Sequence, residues 1–94
     1  MFMSSSQTVG NTFVVDYITY EVTSVLPDKV EAIDYDMAGN TVVNIPDTVP
    51  FSIVTYNVTS IGDKAFSFKS LTNVIIPNSI INIGSNAFAV NHLY

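Results

Sequence analysis

The sequence contains no cysteine, no tryptophan and no arginine, and only three lysines and one histidine among its 94 residues. Without cysteine it has neither a disulfide to staple a small fold nor a thiolate for metal or redox chemistry. Three cations against eight acids give a formal charge of −5, so no basic patch exists to neutralise phosphates or to gather at an anionic bilayer. The expectation is no nucleic-acid partner. Nor does any apolar run approach the roughly 20 residues of a spanning helix, so no membrane insertion is expected. The opening "MFMSSSQTVG" lacks both a basic leader and a long apolar core and does not read as a signal peptide. No linker-like stretch divides the chain, and 94 residues fit one domain.

What the sequence has is apolar and aromatic bulk. Hydrophobic residues make up 48% and charged residues 12%, enough to build a core and too greasy for a disordered tail. Val, Ile, Phe and Tyr dominate while Glu, Lys, Arg and Gln are scarce, which favours a mainly β fold. "TFVVDYITYEVTSV" alternates as half-buried strands do and predicts two strands with a turn near Asp16 and Tyr17. Pro27 and Asp28 break that run. In "VEAIDYD" simple alternation puts Val30, Ala32, Asp34 and Asp36 on one face, and "MAGN" then supplies a tight connection into the strand "TVVNI". A short hairpin is predicted near 49–59, with Phe51, Val54, Tyr56 and Val58 as its greasier register.

From Ser60 onward the chain repeats itself. "SIGDKAF" and "NIGSNAF" align Ile61-Gly62 with Ile83-Gly84, Ala65-Phe66 with Ala87-Phe88, and Leu71 with Leu93, at one spacing of 22 residues. A period of this length marks a solenoid in which each unit has one strand and one tight return. In "LTNVIIP" the spacing directs Leu71, Val74 and Ile76 inward. "DKAFSF" suits one turn of helix or 3₁₀, with Ala65 small enough for stacking and Phe66 filling the interior. A damaged earlier copy, "TVVNIPDTV", lays Ile45-Pro46 on Ile76-Pro77 and Val43 on Val74, and its extra length is the predicted hairpin. Phe66 and Phe88 are thus expected one above the other.

These motifs resemble the BspA-type leucine-rich repeats of bacterial and protist surface proteins. "IIPNSIINIGSNAFAVNHL" carries nearly every marker of that unit, "VTSIGDKAFSFKSL" carries its second half, and "ITYEV" with "VVNIPDTV" is similar to the β-rich segment before such repeats. One departure is the absence of the cysteine often found between Ala-Phe and the next Leu, where Phe68 or Lys69 stands here. The other is length, because this chain holds one complete unit and parts of two. The expected architecture is therefore mainly β with short helical or 3₁₀ turns: a short leucine-rich-repeat solenoid (41–94, with the hairpin inserted near 49–59) closed by an N-terminal β-hairpin or sheet cap (1–40), all in one domain. The last floor is expected to be open, which raises dimerisation there or truncation from a longer parent.

Enzyme chemistry finds little to work with. His92 is the only histidine and would need Asp63 or another acid beside it with a serine in reach. Asp34 and Asp36, about 7 Å apart if they share a strand face, read as solvated charges around a hairpin turn. The same "DYDMAGN" echoes a calcium loop, but Ala38 and Ile45 stand where oxygen ligands are needed. Gly62 and Gly84 read as turn residues with a permissive backbone. Tyr17, Tyr20, Phe51 and Tyr56 read mainly as core or hairpin packing. No catalytic, cofactor or metal site is expected. The expectation is a noncatalytic protein-binding module whose outward strand residues are Val42, Asn44, Asn73 and Ile75, with a structural cap or self-assembly element as the alternative. The resemblance implies display at the cell surface or secretion, and adhesion to host proteins or other cells.

Overall fold

A computed structural model describes residues 8–93. Their regular structure is all strand: β1 (Thr12–Val15), β2 (Ile18–Val25), β3 (Asp28–Tyr35), β4 (Val42–Asn44), β5 (Thr48–Phe51), β6 (Val54–Ile61), β7 (Asn73–Ile75) and β8 (Asn82–Ile83). The first three form an antiparallel meander. Its first turn lies where the sequence places it, at Asp16 and Tyr17, with φ of 50° and 70°. Positive φ at both positions gives a two-residue loop the twist of its flanking strands. The hairpin near 49–59 is present as β5–β6 in the greasier register: Tyr56 and Val58 are buried while Ile53 projects into solvent.

β6 does more than close that hairpin. One of its edges pairs in parallel with β3, Val30 opposite Val58 and Ala32 opposite Ile61. On the other edge β5 covers its first half and β8 its end, with Ile61 opposite Ile83. The hairpin therefore joins the N-terminal segment and the repeats in one sheet, while β4 and β7 form a separate parallel pair.

Three floors stack along this arrangement. Ala32, Ile61 and Ile83 are neighbours across β3, β6 and β8, and the Gly62 and Gly84 amides donate to the carbonyls of Ala32 (2.8 Å) and Ile61 (2.7 Å). The rings of Tyr35, Phe66 and Phe88 follow the same order, with centroids 5.6 and 5.5 Å apart. Beyond the strands, the amides of Lys64, Phe66 and Phe68 donate to the carbonyls of Ser85, Ala87 and Ala89. The 22-residue spacing is thus realised as a ladder of backbone hydrogen bonds around a shared interior. The N-terminal segment supplies the first floor, Ala32 and Tyr35, and so caps the coil.

The last described floor is open. Ile45, Ile61 and Leu71 are 1%, 2% and 0% exposed, whereas their equivalents Ile76, Ile83 and Leu93 are 41%, 51% and 41% exposed. This corrects the inward assignment of Ile76: Leu71 is buried and Val74 packs on the core, but no described residue stacks over Ile76 as β7 does over Ile45.

Other departures have equally local causes. β3 does not alternate simply, because its pairing skips Ile33: Ala32 faces Tyr20 and Asp34 faces Thr19. That shift turns the Tyr35 ring into the core against Phe66 and leaves Asp34 exposed, so the face assigned to Val30, Ala32, Asp34 and Asp36 ends at Ala32. "MAGN" is no hairpin, since β3 and β4 lie in different sheets. There the Ala38 amide donates to the Asp36 carboxylate (2.8 Å) and the Tyr35 hydroxyl donates to the Asn40 carbonyl (2.6 Å). "DKAFSF" folds as two successive turns, with the amides of Ala65 and Ser67 donating to the carbonyls of Gly62 and Lys64. Positive φ at Lys64 and Phe68 keeps them from running on as a helix.

Gly62 and Gly84 do not have positive φ. Gly84 is demanded by close approach between floors: a Cβ there would lie 2.6 Å from the Gly62 carbonyl carbon and would strike the Asp63 backbone nitrogen.

Candidate functional site

The two-residue period of a strand sends Val43 and Val74 inward and leaves their neighbours outside. The parallel register places Val42 beside Asn73 and Asn44 beside Ile75. All four side chains are exposed, so the residues expected on the outer face do share one surface. Strands in such a pair lie about 4.8 Å apart, which makes the face a small checkerboard with Val42 and Ile75 on one diagonal and two asparagines on the other. Backbone hydrogen bonds from Ile45 to Ile75 (3.0 Å) and from Thr72 to Thr41 (2.8 Å) pin both ends. The face holds no charge, and its chemistry is limited to apolar contact and amide hydrogen bonding.

Beside this face lies a cleft of about 340 Å³, shared by Val42 and Asn44 with Asp16, Tyr17, Tyr20 and Asn40. Of the aromatic residues assigned to packing, Tyr20 and Tyr56 are buried, Phe51 stacks on Phe13 at 4.1 Å, and Tyr17 alone is exposed. Burial pushes the Tyr20 hydroxyl above its ordinary pKa, and the Asp16 charge adds to the shift. Burial raises that of Tyr35 as well, helped by Tyr17 and Asp36.

Of the residues weighed for catalysis or metal binding, the acids Asp63, Asp34 and Asp36 have partners of their own. The Asp63 carboxylate accepts from the Ser85 amide (2.8 Å), bridging two floors, and His92 is exposed, with its backbone amide on the Leu71 carbonyl (2.9 Å). Asp34 forms an ion pair with Lys69 at 3.3 Å. Among the described residues no three His, Cys, Asp or Glu side chains converge in a metal-binding group.

Sequence reasoning missed Asn91. Its Nδ2 donates to the carbonyls of Phe66 (2.7 Å) and Phe88 (2.9 Å), and its Oδ1 accepts from the amides of Lys69 and Leu71, both at 3.0 Å. One amide therefore closes the return of its own floor and ties it to the floor below. Its signal was its place, since Asn91 falls one repeat after Lys69, within the stretch where the cysteine is absent.

Comparison with known proteins agrees with this architecture. Residues 47–94 match the family described as "BspA type Leucine rich repeat region (6 copies)". A leucine-rich repeat protein from Bacteroides capillosus ATCC 29799 is similar in structure, with a TM-score of 0.72 and 31% identity over 87% of this chain. A leucine-rich cell surface protein from Faecalibacterium prausnitzii A2-165 gives a TM-score of 0.70 and 27% identity over 90% of it. The chain spans 64% of the first and 22% of the second. No match was found among curated proteins.

Proposed function

Because the chain belongs to the BspA-type leucine-rich repeat family, we propose that it is a noncatalytic protein-binding module acting in adhesion at the cell surface. The observation that carries this reading is the β4–β7 face, where Val42, Asn44, Asn73 and Ile75 are held in register, exposed and uncharged. Neutral apolar and amide contacts of this kind form the usual centre of a protein interface and depend weakly on salt. The F. prausnitzii relative, described as a cell surface protein, supports the address.

The test is adhesion of beads coated with the protein to host cells, compared with beads carrying the Asn73→Lys, Ile75→Lys double variant. Loss of adhesion with an unchanged melting curve supports the face. Undiminished adhesion removes it.

A second reading, self-assembly, is favoured by the open floor. The apolar groups exposed at Ile76, Ile83 and Leu93 are those that a further turn of coil covers at Ile45, Ile61 and Leu71. Under this reading a second copy supplies the cover, sedimentation gives a mass that rises with concentration, and Ile83→Glu abolishes the rise.

A further inference from the structure

The cleft beside the β4–β7 face has a one-sided chemistry. Its lining carries no lysine, arginine or histidine. Its polar side chains are those of Asp16, Tyr17, Tyr20, Tyr35, Asn40 and Asn44, so the one formal charge in the lining is negative. Tyr20 is fully buried and lines the cleft. The Asp16 carboxylate has no ion-pair partner among the described residues, whose ion pair is that of Lys69 with Asp34. Its field reaches the cleft, adding to the upward shift of the Tyr20 hydroxyl.

At the rim stands Tyr17. It holds a φ of 70°, at a position where two-residue turns ordinarily place glycine. A Cβ at Gly39 would strike the Tyr35 hydroxyl and lie 3.1 Å from the Tyr17 ring edge, so glycine at 39 makes room for both rings. A volume near 340 Å³ is at the small end of ligand sites and suits one inserted side chain better than a length of chain.

We propose that this cleft receives an arginine side chain from the protein partner, with the guanidinium stacked on Tyr17 and donating to the Asp16 carboxylate. A cleft with an aromatic rim, one carboxylate and no cation in its lining matches a planar cation bearing five N–H donors, and a guanidinium is desolvated more readily than an ammonium. The inference rests on the protein-binding reading, since Val42 and Asn44 belong both to the outer face and to the cleft wall. It gives that flat neutral face an anchor pocket, the element that concentrates binding energy in protein interfaces.

The test needs no partner. Acetyl-arginine-methylamide is titrated into the ¹⁵N-labelled protein, with the neutral isostere acetyl-citrulline-methylamide and methyl glucoside as comparison probes. Saturable shifts confined to Asp16, Tyr17, Val42 and Asn44 with the arginine probe alone are expected. In Asp16→Asn, which keeps a residue that tolerates positive φ, binding weakens roughly tenfold. No saturable shift, equal response to citrulline, or preference for the glucoside overturns the proposal. Failure of the probe leaves the adhesion test of the β4–β7 face unaffected, and failure of that test leaves the probe result standing.

Discussion

Ile45 and Ile76 occupy the same place on successive floors, and truncating each to alanine measures what the next floor contributes. Removing the three carbons of a fully buried isoleucine forfeits about 2.4 kcal/mol of transfer free energy. Ile45 is enclosed, 1% exposed beneath β7, and the cavity left behind raises the cost to about 3–4 kcal/mol. Ile76 is 41% exposed, so only about 1.4 kcal/mol is at stake and no closed cavity forms. The difference of about 2 kcal/mol corresponds to roughly 8–16 °C in melting temperature for a domain of this size. Urea denaturation followed by far-ultraviolet circular dichroism reads it, with tyrosine fluorescence checking that both signals move together, because stacked repeats can lose cooperativity. Equal losses at low protein concentration would refute the open floor. Losses that become equal only as concentration rises would show a second copy covering Ile76.

Three further outcomes follow from the contacts between floors. Gly84→Ala destabilises by about 1–3 kcal/mol, because its methyl meets backbone that cannot swing away; Gly62→Ala costs less, since its methyl meets the mobile carboxylate of Glu31, and denaturant midpoints rank the two. Asn91→Ala strips four backbone groups of their partner and costs about 2–3 kcal/mol, with hydrogen exchange accelerating first at the amides of Lys69 and Leu71. Stability is independent of the Tyr20 hydroxyl below pH 10, where folded and unfolded chains both keep its proton. Above pH 10 the unfolded chain releases that proton first, so stability falls by no more than about 1.4 kcal/mol per pH unit; alkaline urea titrations check it, and Tyr20→Phe flattens the slope.

The periodic part of this fold was legible because repetition turns packing into spelling. Ile61, Ala65, Phe66 and Leu71 recur at one spacing, and Ile61 pairs with Ile83 while Phe66 stacks on Phe88 one floor away. The outer strand residues Val42, Asn44, Asn73 and Ile75 were legible for a related reason, since a strand's two-residue period fixes both faces once one is known to be buried. What escaped was non-periodic. The skipped pairing at Ile33 is invisible to alternation, because whether an extra residue is absorbed depends on what Tyr35 must reach across the interior. Ile76 reads like Ile45 letter for letter, and only the presence or absence of another floor separates them. Tyr17 and Asp16 were recognised as a turn, but the cleft behind them forms between a hairpin loop and β4, some 25 positions later in the chain. Asn91 makes its contacts to both sides of a return, and no local pattern announces that.

Two exposed surfaces differ in chemistry: the neutral β4–β7 face with its cleft, and the apolar group of Ile76, Ile83 and Leu93. The β4–β7 face and the open floor adjoin at β7, where Ile75 belongs to the face and Ile76, the next residue, to the floor. The two proposed modes of binding, a partner on the face and a second copy on the open floor, would differ in kind in their energetics. Association at the open floor would bury apolar area and strengthen with warming toward room temperature, as hydrophobic burial does. The cleft, once it holds a cation against Asp16, weakens as salt screens the pair. Measured together, temperature and salt dependence separate the two: adhesion that falls with salt in the parent, and no longer does in Asp16→Asn, belongs to the cleft, while a sedimentation mass insensitive to salt and lost in Ile83→Glu belongs to the end.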